Sequence, residues 1–202
     1  MKVLILFAHP AFDKSRVNRL IVEGLSDIEG VTFHDLYQEY PEFYIDVERE
    51  QQLMEEHDVI IFQFPLFWYS TPALLKEWQD LVLQHGWAFG SQGNALKDKL
   101  FMCSMTVGGP RKSYQIDDFH DHTLNELLAP LRQTAKLCKM KFLPPFAVHG
   151  SHGVQEDEVL EHKEKFLRLL DFMINDNLNP TDLKDHEYMN DFLAQKEVNH
   201  GG

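Results

Sequence analysis

Glycine is missing from the first 23 residues of this 202-residue chain. Its absence excludes the G-x-G-x-x-G and G-x-x-x-x-G-K-[ST] nucleotide loops from the amino-terminal segment, because both motifs require glycines there. Long apolar runs are missing too, since none approaches the roughly 18 residues that span a bilayer. The amino terminus carries one lysine and no small-residue cleavage site, so we expect no signal peptide.

Cysteine and positive charge are both scarce. The two cysteines, Cys103 and Cys138, lack C-x-x-C spacing, which favours reduced, buried thiols in a cytoplasmic protein. Lysine and arginine number 19 against 32 aspartates and glutamates, for a formal charge of −13. Because nucleic acids require a basic face, this balance argues against a nucleic-acid partner. A phosphorylated ligand would have to be held by nearby hydrogen-bond donors, because the net negative charge of the protein repels it.

Apolar strands and amphipathic helices alternate along the chain. The unbroken run Val3–Phe7 is typical of a buried parallel strand. Further strands are expected over Val31–Leu36, Val59–Phe64, Lys99–Met105 and Phe142–Val148, the last an edge strand that contains Pro144 and Pro145. Helices are expected after Ser15, over Val47–Glu56, after Pro72, over Leu124–Leu137 with an interruption at Pro130, and over Glu156–Ile174.

This alternation predicts one α/β domain with a doubly wound, five-stranded parallel sheet and helices on both faces. The expected strand order is the flavodoxin-like 2-1-3-4-5. We assign residues 1–175 to this domain and residues 176–202 to a polar C-terminal extension. The extension has only a weak helical pattern around Met189 and Phe192.

In that strand order, the loops after strands one, three and four meet at one sheet edge. They carry His9–Asn18, Pro65–Tyr69 and Thr106–His120. In the first loop, Ser15 is placed to cap the following helix, whose first amides favour an anion. Taken alone, that loop could equally be solvated with a routine serine cap. The coincidence of three chemically unusual loops at one edge favours a ligand site there.

The same loops resemble those of the NAD(P)H:quinone oxidoreductase family of flavodoxin-like proteins. The likeness rests on Ala8-His9-Pro10 with Ser15-x-x-Asn18, on Phe64 to Tyr69, and on Thr106 to Gly109. It is greatest to small bacterial members, including ancillary subunits of glutathione-gated potassium efflux systems, where segments like Leu36–Asp46, His85–Ala88 and Leu143–Phe146 also recur. It covers residues Lys2 to Phe172 and leaves the C-terminal extension outside.

Carried over residue by residue, the resemblance implies a flavin site. The flavin phosphate would be held by His9, Ser15, Arg16, Val17 and Asn18. Leu66, Phe67, Trp68 and Tyr69 would lie along the isoalloxazine ring, with Pro65 among the cofactor contacts. The backbone amides of Thr106, Val107, Gly108 and Gly109 would face the pyrimidine side of the ring. Tyr114 and His120 match a tyrosine and a histidine that approach the flavin, and they form the predicted catalytic pair.

The chemistry of these residues agrees with a flavin, whose reduced form carries negative charge near N1 and O2. Amides at glycines can approach that charge closely and stabilise it. The alternatives are an aromatic run that is ordinary core and a Gly108-Gly109 pair that is a plain turn. His120 lies among aspartates, but the spacing has no zinc signature, so no metal is expected. His149 and His152, near the last strand, are interpreted as peripheral polar residues without a catalytic role.

The implied function is two-electron reduction of a quinone by NAD(P)H, in a ping-pong sequence through one open face of the flavin. FMN is favoured over FAD, because the chain lacks the C-terminal extension of the FAD-binding mammalian relatives. Two other functions stay open: a regulatory ancillary subunit of a potassium efflux transporter, and a flavodoxin-type electron carrier. The first would place a cytoplasmic protein peripherally at the inner face of the membrane.

A homodimer is expected as well. The resemblance implies two-fold pairing, and the loops contain more aromatic side chains than a monomer would leave exposed. Those side chains are Phe43, Tyr44, Trp68, Tyr69, Trp87 and Phe89.

Overall fold

The structure, a computed structural model, describes residues 1–175, 178, 183 and 185–200. Its strands are β1 (Val3–Phe7), β2 (Val31–Asp35), β3 (Val59–Pro65), β4 (Leu100–Thr106), β5 (Lys141–Phe142) and β6 (Phe146–Val148). Its α-helices are α1 (Arg16–Val22), α2 (Leu36–Glu39), α3 (Val47–Glu56), α4 (Ala73–Val82), α5 (Leu124–Leu127), α6 (Ala129–Leu137), α7 (Glu156–Ile174) and α8 (Met189–His200). Short 3₁₀ turns cover Phe12–Lys14, Leu25–Asp27 and Arg111–Ser113.

The sheet is parallel throughout, in the order β2-β1-β3-β4-β5, which confirms the predicted order. The expected single fifth strand is wrong in detail. It is split into β5 and β6, which pair with β4 on either side of Pro144 and Pro145. Proline has no amide to donate to a strand ladder, so the pairing stops there and resumes at Phe146.

The helix expected over Leu124–Leu137 is likewise in two pieces, so the predicted interruption is confirmed. Thr123 and Glu126 form a capping box that starts α5. Pro130 lies in the first turn of α6, where no intrahelical donor is needed.

Helices cover both faces of the sheet. In β1, Leu4 and Leu6 belong to the core cluster that contains Trp78 of α4. Val3, Ile5 and Phe7 belong to the opposite cluster, which α1 and α7 complete. Residues that alternate along a strand point to opposite faces, so this central strand is buried on both sides. Cys103 and Cys138 are buried and free, and burial raises the pKa of the Cys138 thiol to about 11.

The chain beyond α7 contributes buried side chains, namely Leu178, Leu183, Tyr188, Met189, Phe192 and Leu193. Helix α8 contacts α7 and β6. Of the predicted extension, residues 176, 177, 179–182, 184, 201 and 202 lie outside the described residues. Among the helices that are described, none combines the length and the apolar character needed to cross a membrane.

Candidate functional site

One large cavity, of about 1100 Å³, opens at the carboxyl ends of β1, β3 and β4. This volume is slightly above the usual range for small-molecule sites. Every predicted site residue except Val107 lines it. These residues are His9, Ser15, Arg16, Val17, Asn18, Pro65, Leu66, Phe67, Trp68, Tyr69, Thr106, Gly108, Gly109, Tyr114 and His120.

The first loop forms one end of the cavity and is tied to the end of β4. Ser15 caps α1, with its hydroxyl accepting from the Asn18 amide at 3.2 Å, so the predicted cap is confirmed. The Asn18 side-chain amide donates to Ser15 Oγ at 3.0 Å and to Thr106 Oγ1 at 3.1 Å. Asn18 Oδ1 is buried and has no partner among the described residues. The loop is therefore held rigidly before any ligand arrives.

His9 presents a neutral imidazole to the same end of the cavity. Its Nδ1 accepts from the Ala11 amide at 3.1 Å, so the ring proton lies on Nε2. Burial lowers the pKa of His9, which keeps the ring uncharged at neutral pH. Phe12 and Phe67 flank it at centroid distances of 6.2 and 5.7 Å. His9 thus offers one oriented N–H donor.

Cations lie at the mouth of this end. Lys14 and Arg16 are exposed and line the cavity. The Arg16 guanidinium donates to the Val154 carbonyl, which joins the first loop to the loop that precedes α7. The protein has a formal charge of −13. The two positive charges therefore make this end of the cavity more favourable for an anion than the rest of the surface.

Aromatic side chains form the middle wall. The chain turns sharply after β3, where the Phe67 amide donates to the Pro65 carbonyl at 2.9 Å. Trp68 and Tyr69 then adopt left-handed backbone conformations, with φ of 50° and 63°. Such values are uncommon for bulky residues and persist only where the surroundings impose them. The turn leaves the Trp68 side chain 93% exposed beside the cavity.

Two glycines form the far end, where the chain leaves β4. A Cβ on Gly109 would lie 2.6 Å from Ser113 Oγ and 3.0 Å from His120 Nε2. A Cβ on Gly108 would lie 2.8 Å from His152 Nε2. A side chain at either position would therefore force these neighbouring side chains to move. Among the described residues, the Gly108 amide has no acceptor.

Val107 does not fit its expected role. Its side chain is fully buried, and its amide donates to the Val148 carbonyl at 2.9 Å. The pairing of β4 with β6 extends one residue beyond the end of β4 and engages this amide. Val107 therefore packs in the core beneath the glycine turn, and its backbone amide is not free to donate to a ligand.

Tyr114 and His120 are brought together over the glycine turn. Their rings stack at a centroid distance of 4.2 Å and an angle of 15°. His120 Nδ1 lies 3.4 Å from the Tyr69 hydroxyl, which links the pair to the aromatic wall. Burial raises the pKa of Tyr114, although a hydrogen bond from the backbone of Gly109 offsets part of this effect. The Tyr114 phenol therefore stays protonated at neutral pH and can donate.

Several lining residues were missed by sequence reasoning, namely Ala11, Lys14, Pro110, Ser113, Phe119, Ser151 and His152. His152 was interpreted as a peripheral polar residue, yet its imidazole lies against Gly108. The loop after β6 reaches the same sheet edge as the loop after β4, because the two strands pair in parallel. Strand order was thus a signal that could have indicated His152.

The described cavity suits a planar, phosphorylated cofactor. Side-chain donors lie at one end, an apolar aromatic wall in the middle, and an unengaged amide at a glycine turn at the other. The described residues contain no group of three or more His, Cys, Asp or Glu side chains placed to hold a metal ion.

Comparison with known proteins gives a family match over residues 1–170, to a model of flavodoxin-like fold. General stress protein 14 of Bacillus subtilis is 48% identical over 83% of this chain and 95% of its own. The NAD(P)H oxidoreductase YrkL of the same species is 42% identical over 86% of this chain and 98% of its own. The potassium-efflux ancillary protein KefG of Cronobacter sakazakii is also 42% identical, over 84% of this chain and 92% of its own.

Solved structures match as well. General stress protein 14 of Treponema denticola, in complex with FMN, has a TM-score of 0.78 and 38% identity, over 85% of this chain and 98% of its own. An NADPH-quinone reductase of P. pentosaceus has a TM-score of 0.76 and 31% identity, over 84% and 97%. A chain of S. violaceusniger described as a tryptophan halogenase has a TM-score of 0.80 and 42% identity, over 83% and 97%. Relatives that share this fold thus differ in activity, so the fold alone does not set the activity of this chain.

Proposed function

Because the chain belongs to the flavodoxin-like family of NAD(P)H oxidoreductases, we propose that it is an FMN enzyme that reduces a quinone with NAD(P)H. The observation that carries this proposal is the cavity at the carboxyl ends of β1, β3 and β4. It combines hydrogen-bond donors for a phosphate, an aromatic wall and a glycine amide without an acceptor in one space of about 1100 Å³. The relative from Treponema denticola, 38% identical, is described in complex with FMN.

FMN is the flavin that these residues suit. A single phosphate would take the Nε2–H of His9, the hydroxyl of Ser15 and free amides of the first loop. Hydrogen bonds to a charged group are worth more than neutral ones, so this small set can hold a dianion. When bound, FMN supplies the redox chemistry: it takes two electrons and a proton from NAD(P)H and passes them to the acceptor.

The chain's own residues would orient the cofactor and stabilise charge. The wall from Leu66 to Tyr69 would pack along the ring and exclude water from one side. The Gly108 amide and the Tyr114 phenol would donate to the pyrimidine edge, where charge accumulates on reduction. His120, stacked on Tyr114, can take up or release a proton at the same edge.

A ping-pong order is part of this proposal. The exposed side chains of Trp68 and Phe119 border the mouth of the cavity. NAD(P)H and a quinone would use the same open face of the flavin in turn, so one would leave before the other binds.

A second function has its own support. KefG, 42% identical, is described as an ancillary protein of a glutathione-regulated potassium-efflux system. Regulation of such a transporter would use the same fold at the membrane surface, in a cytoplasmic protein. A neighbouring gene for a transporter with a nucleotide-binding tail would favour it, and so would loss of glutathione-regulated potassium efflux on deletion of this protein.

The test is direct. The purified protein is examined by visible spectroscopy, and the released cofactor is identified by mass spectrometry. The flavin-loaded protein is then mixed anaerobically with NADH or NADPH and afterwards with a soluble benzoquinone. We expect the released cofactor to be FMN. The nucleotide should bleach the flavin absorbance rapidly, and quinone should restore it.

The other outcomes separate the alternatives. FAD in place of FMN would overturn the cofactor assignment. Retained FMN with slow oxidation of NAD(P)H would favour an electron carrier. Intersecting rather than parallel double-reciprocal plots would exclude the ping-pong order.

A further inference from the structure

The segment that follows α7 is attached to the sheet edge next to the cavity. The Met189 amide donates to the Pro145 carbonyl at 2.9 Å. Asn190 bonds both backbone groups of Ala147, accepting from its amide at 2.9 Å and donating to its carbonyl at 3.1 Å. The start of α8 thus satisfies the open edge of β6, and the family match, which ends at residue 170, does not include it.

From this position the segment holds Arg111, which immediately follows Gly108-Gly109-Pro110. The Arg111 guanidinium donates to both carboxylate oxygens of Asp191, at 2.6 and 2.8 Å, and to Glu187 at 3.2 Å. It also lies over the Tyr188 ring, 4.4 Å from the centroid. A two-pronged pair backed by a buried aromatic ring has a fixed geometry, which a lysine could not reproduce.

A second route connects the segment to the predicted catalytic pair. The Tyr188 ring lies 5.6 Å from His149, and His149 lies 6.0 Å from Tyr114, which stacks on His120. Burial, with a smaller contribution from the charge of Arg111, lowers the pKa of His149 to about 4. At neutral pH His149 is therefore an uncharged ring packed between the two tyrosines.

Apart from the buried Tyr114 ring and the contact of His120 with Tyr69, the loop between Arg111 and His122 has few attachments to the rest of the protein. Its hydrogen bonds are mostly internal, such as His120 N to Ser113 O and Asp117 N to Asp121 Oδ1. Asp117 and Asp121 adopt left-handed conformations, and Ile116 and Phe119 are exposed. Such a segment has low local stability unless its ends are held.

We propose that residues 185–193 form a C-terminal clamp that positions Tyr114 and His120, with Arg111, Tyr188 and Asp191 as positioning residues. The role in catalysis rests on the proposed function, whereas the clamp itself does not. By fixing the base of the loop, the clamp keeps the stacked rings over the glycine turn in the arrangement that the reaction needs.

The experiment uses the full chain with Asp191→Asn and Arg111→Lys, and with Asp191→Glu as the conservative rescue. Glu23→Gln is the matched control, since it removes the Lys163–Glu23 pair at 3.3 Å, which joins α7 to the end of α1 far from the loop. Hydrogen exchange of the 112–121 amides is followed by mass spectrometry in the cofactor-free protein. The rate of FMN reduction by NADH and the FMN dissociation constant are measured in parallel.

We expect exchange of the 112–121 amides to accelerate at least fivefold in Asp191→Asn and Arg111→Lys. Exchange in α7 should be unchanged, and Asp191→Glu should restore at least half of the protection. FMN reduction should slow three- to tenfold in the same two variants, with the FMN dissociation constant within twofold of wild type. The Glu23→Gln control should change none of these values.

Each failure has a separate meaning. Unchanged exchange in both clamp variants, or an equal change in Glu23→Gln, would overturn the clamp. Faster exchange with an unchanged reduction rate would overturn its positioning role. A wild-type protein that NADH does not reduce would instead count against the proposed function, and the exchange measurement would still decide whether the clamp exists.

Discussion

His9 enters the proposed phosphate site as a neutral donor. Its Nδ1 is occupied by the Ala11 amide, and burial lowers its pKa, so an anion meets only the Nε2 proton. Ser15 is held by Asn18, which is in turn held by Thr106 at the end of β4. The donors therefore need little reordering on binding, and most of their interaction energy can appear as affinity.

Replacing His9 and Ser15 together with alanine should weaken FMN binding by roughly 1–3 kcal/mol for each lost charge-assisted hydrogen bond. Isothermal titration of the cofactor-free protein with FMN measures the change. His85→Ala with Ser91→Ala is a matched control, because both side chains are exposed and lie outside the cavity. A double variant that retains full FMN at low micromolar concentration would exclude this end of the cavity as the phosphate site.

Tyr114→Phe and His120→Gln test the other end of the cavity. Each substitution removes a donor or a proton-transfer group while nearly preserving size. The rate of flavin reduction by NADH should fall about tenfold or more in each variant, which equals about 1.4 kcal/mol of transition-state stabilisation. FMN affinity should be nearly unchanged. Stopped-flow mixing measures the rate, with the exposed Tyr44→Phe and His122→Gln as controls.

Reduction rates within twofold of wild type in both variants would remove Tyr114 and His120 from the mechanism. The Gly108 amide would then be the donor left at this end, because the Val107 amide is engaged by Val148. The structure adds one expectation that the sequence could not. Since the two rings stack at 4.2 Å, the effects of the two substitutions should be non-additive in the double variant.

The bounds of helices and strands were predicted closely where the pattern that indicates them lies within one short stretch of sequence. Helix α7 spans Glu156–Ile174 as expected, and β1 spans Val3–Phe7, because amphipathic period and continuous apolar runs are readable within one window. The broken fifth strand and helix α8 depend on distant partners instead. Asn190 is polar and unremarkable in sequence, yet it completes the edge of β6 by bonding Ala147, 43 residues away. Such a role follows only from the tertiary arrangement.

Helix α3 was expected over Val47–Glu56, and these bounds are confirmed. Its Glu50, however, is fully buried. The carboxylate accepts hydrogen bonds from His34 of β2, from Tyr40 after α2 and from Trp78 of α4, at 2.8, 2.5 and 2.7 Å. Burial alone would raise the pKa of Glu50, but the hydrogen bond and charge of His34, with the two other donors, outweigh it and lower the pKa.

Glu50→Gln should therefore destabilise the protein by about 1–3 kcal/mol at pH 7, because an amide cannot accept all three donors. A carboxyl whose folded pKa is lowered stabilises the fold above its unfolded pKa of about 4.3, and this stabilisation is lost as pH falls through the lower folded value. The stability gap between wild type and Glu50→Gln should thus be full at pH 7 and shrink below about pH 4.

Urea unfolding at a series of pH values measures this gap. Glu48→Gln, an exposed position on the same helix, is the control and should change stability little at any pH. A Glu50→Gln protein as stable as wild type at pH 7 would show that this carboxylate does not hold the four elements together.

At the scale of the whole molecule, most of the candidate site was predictable because topology collects loops that are distant in sequence. Three loops, each ambiguous alone, line one cavity. What could not be predicted was which backbone groups remain free. The amide of Val107 is used by the β4–β6 pairing, whereas that of Gly108 is not. The contribution of His152 likewise needed the register of the split fifth strand.

The cavity mouth also bears on assembly. Trp68 is 93% exposed and Phe119 is 84% exposed, and both line the cavity. Tyr44, from the loop before α3, is exposed to the same degree as Phe119. Large aromatic side chains are costly to leave in water and are enriched at the buried centres of protein interfaces. Trp87 and Phe89 are half-buried, so the exposed aromatic surface lies chiefly at the cavity mouth.

We therefore predict a homodimer in which a second copy packs against the exposed aromatic side chains that border the cavity, leaves the substrates a way in, and completes the active site. Light scattering should give twice the 23.6 kDa chain mass at micromolar concentration. Trp68→Glu should raise the dimer dissociation constant at least tenfold, which is about 1.4 kcal/mol or more, and should lower NAD(P)H oxidation with it. Leu160→Glu places the same charge on an exposed apolar position of α7 and should leave the dimer intact. A monomer mass at micromolar concentration with full activity would exclude the dimer, and the exposed mouth would then be a docking surface for the acceptor.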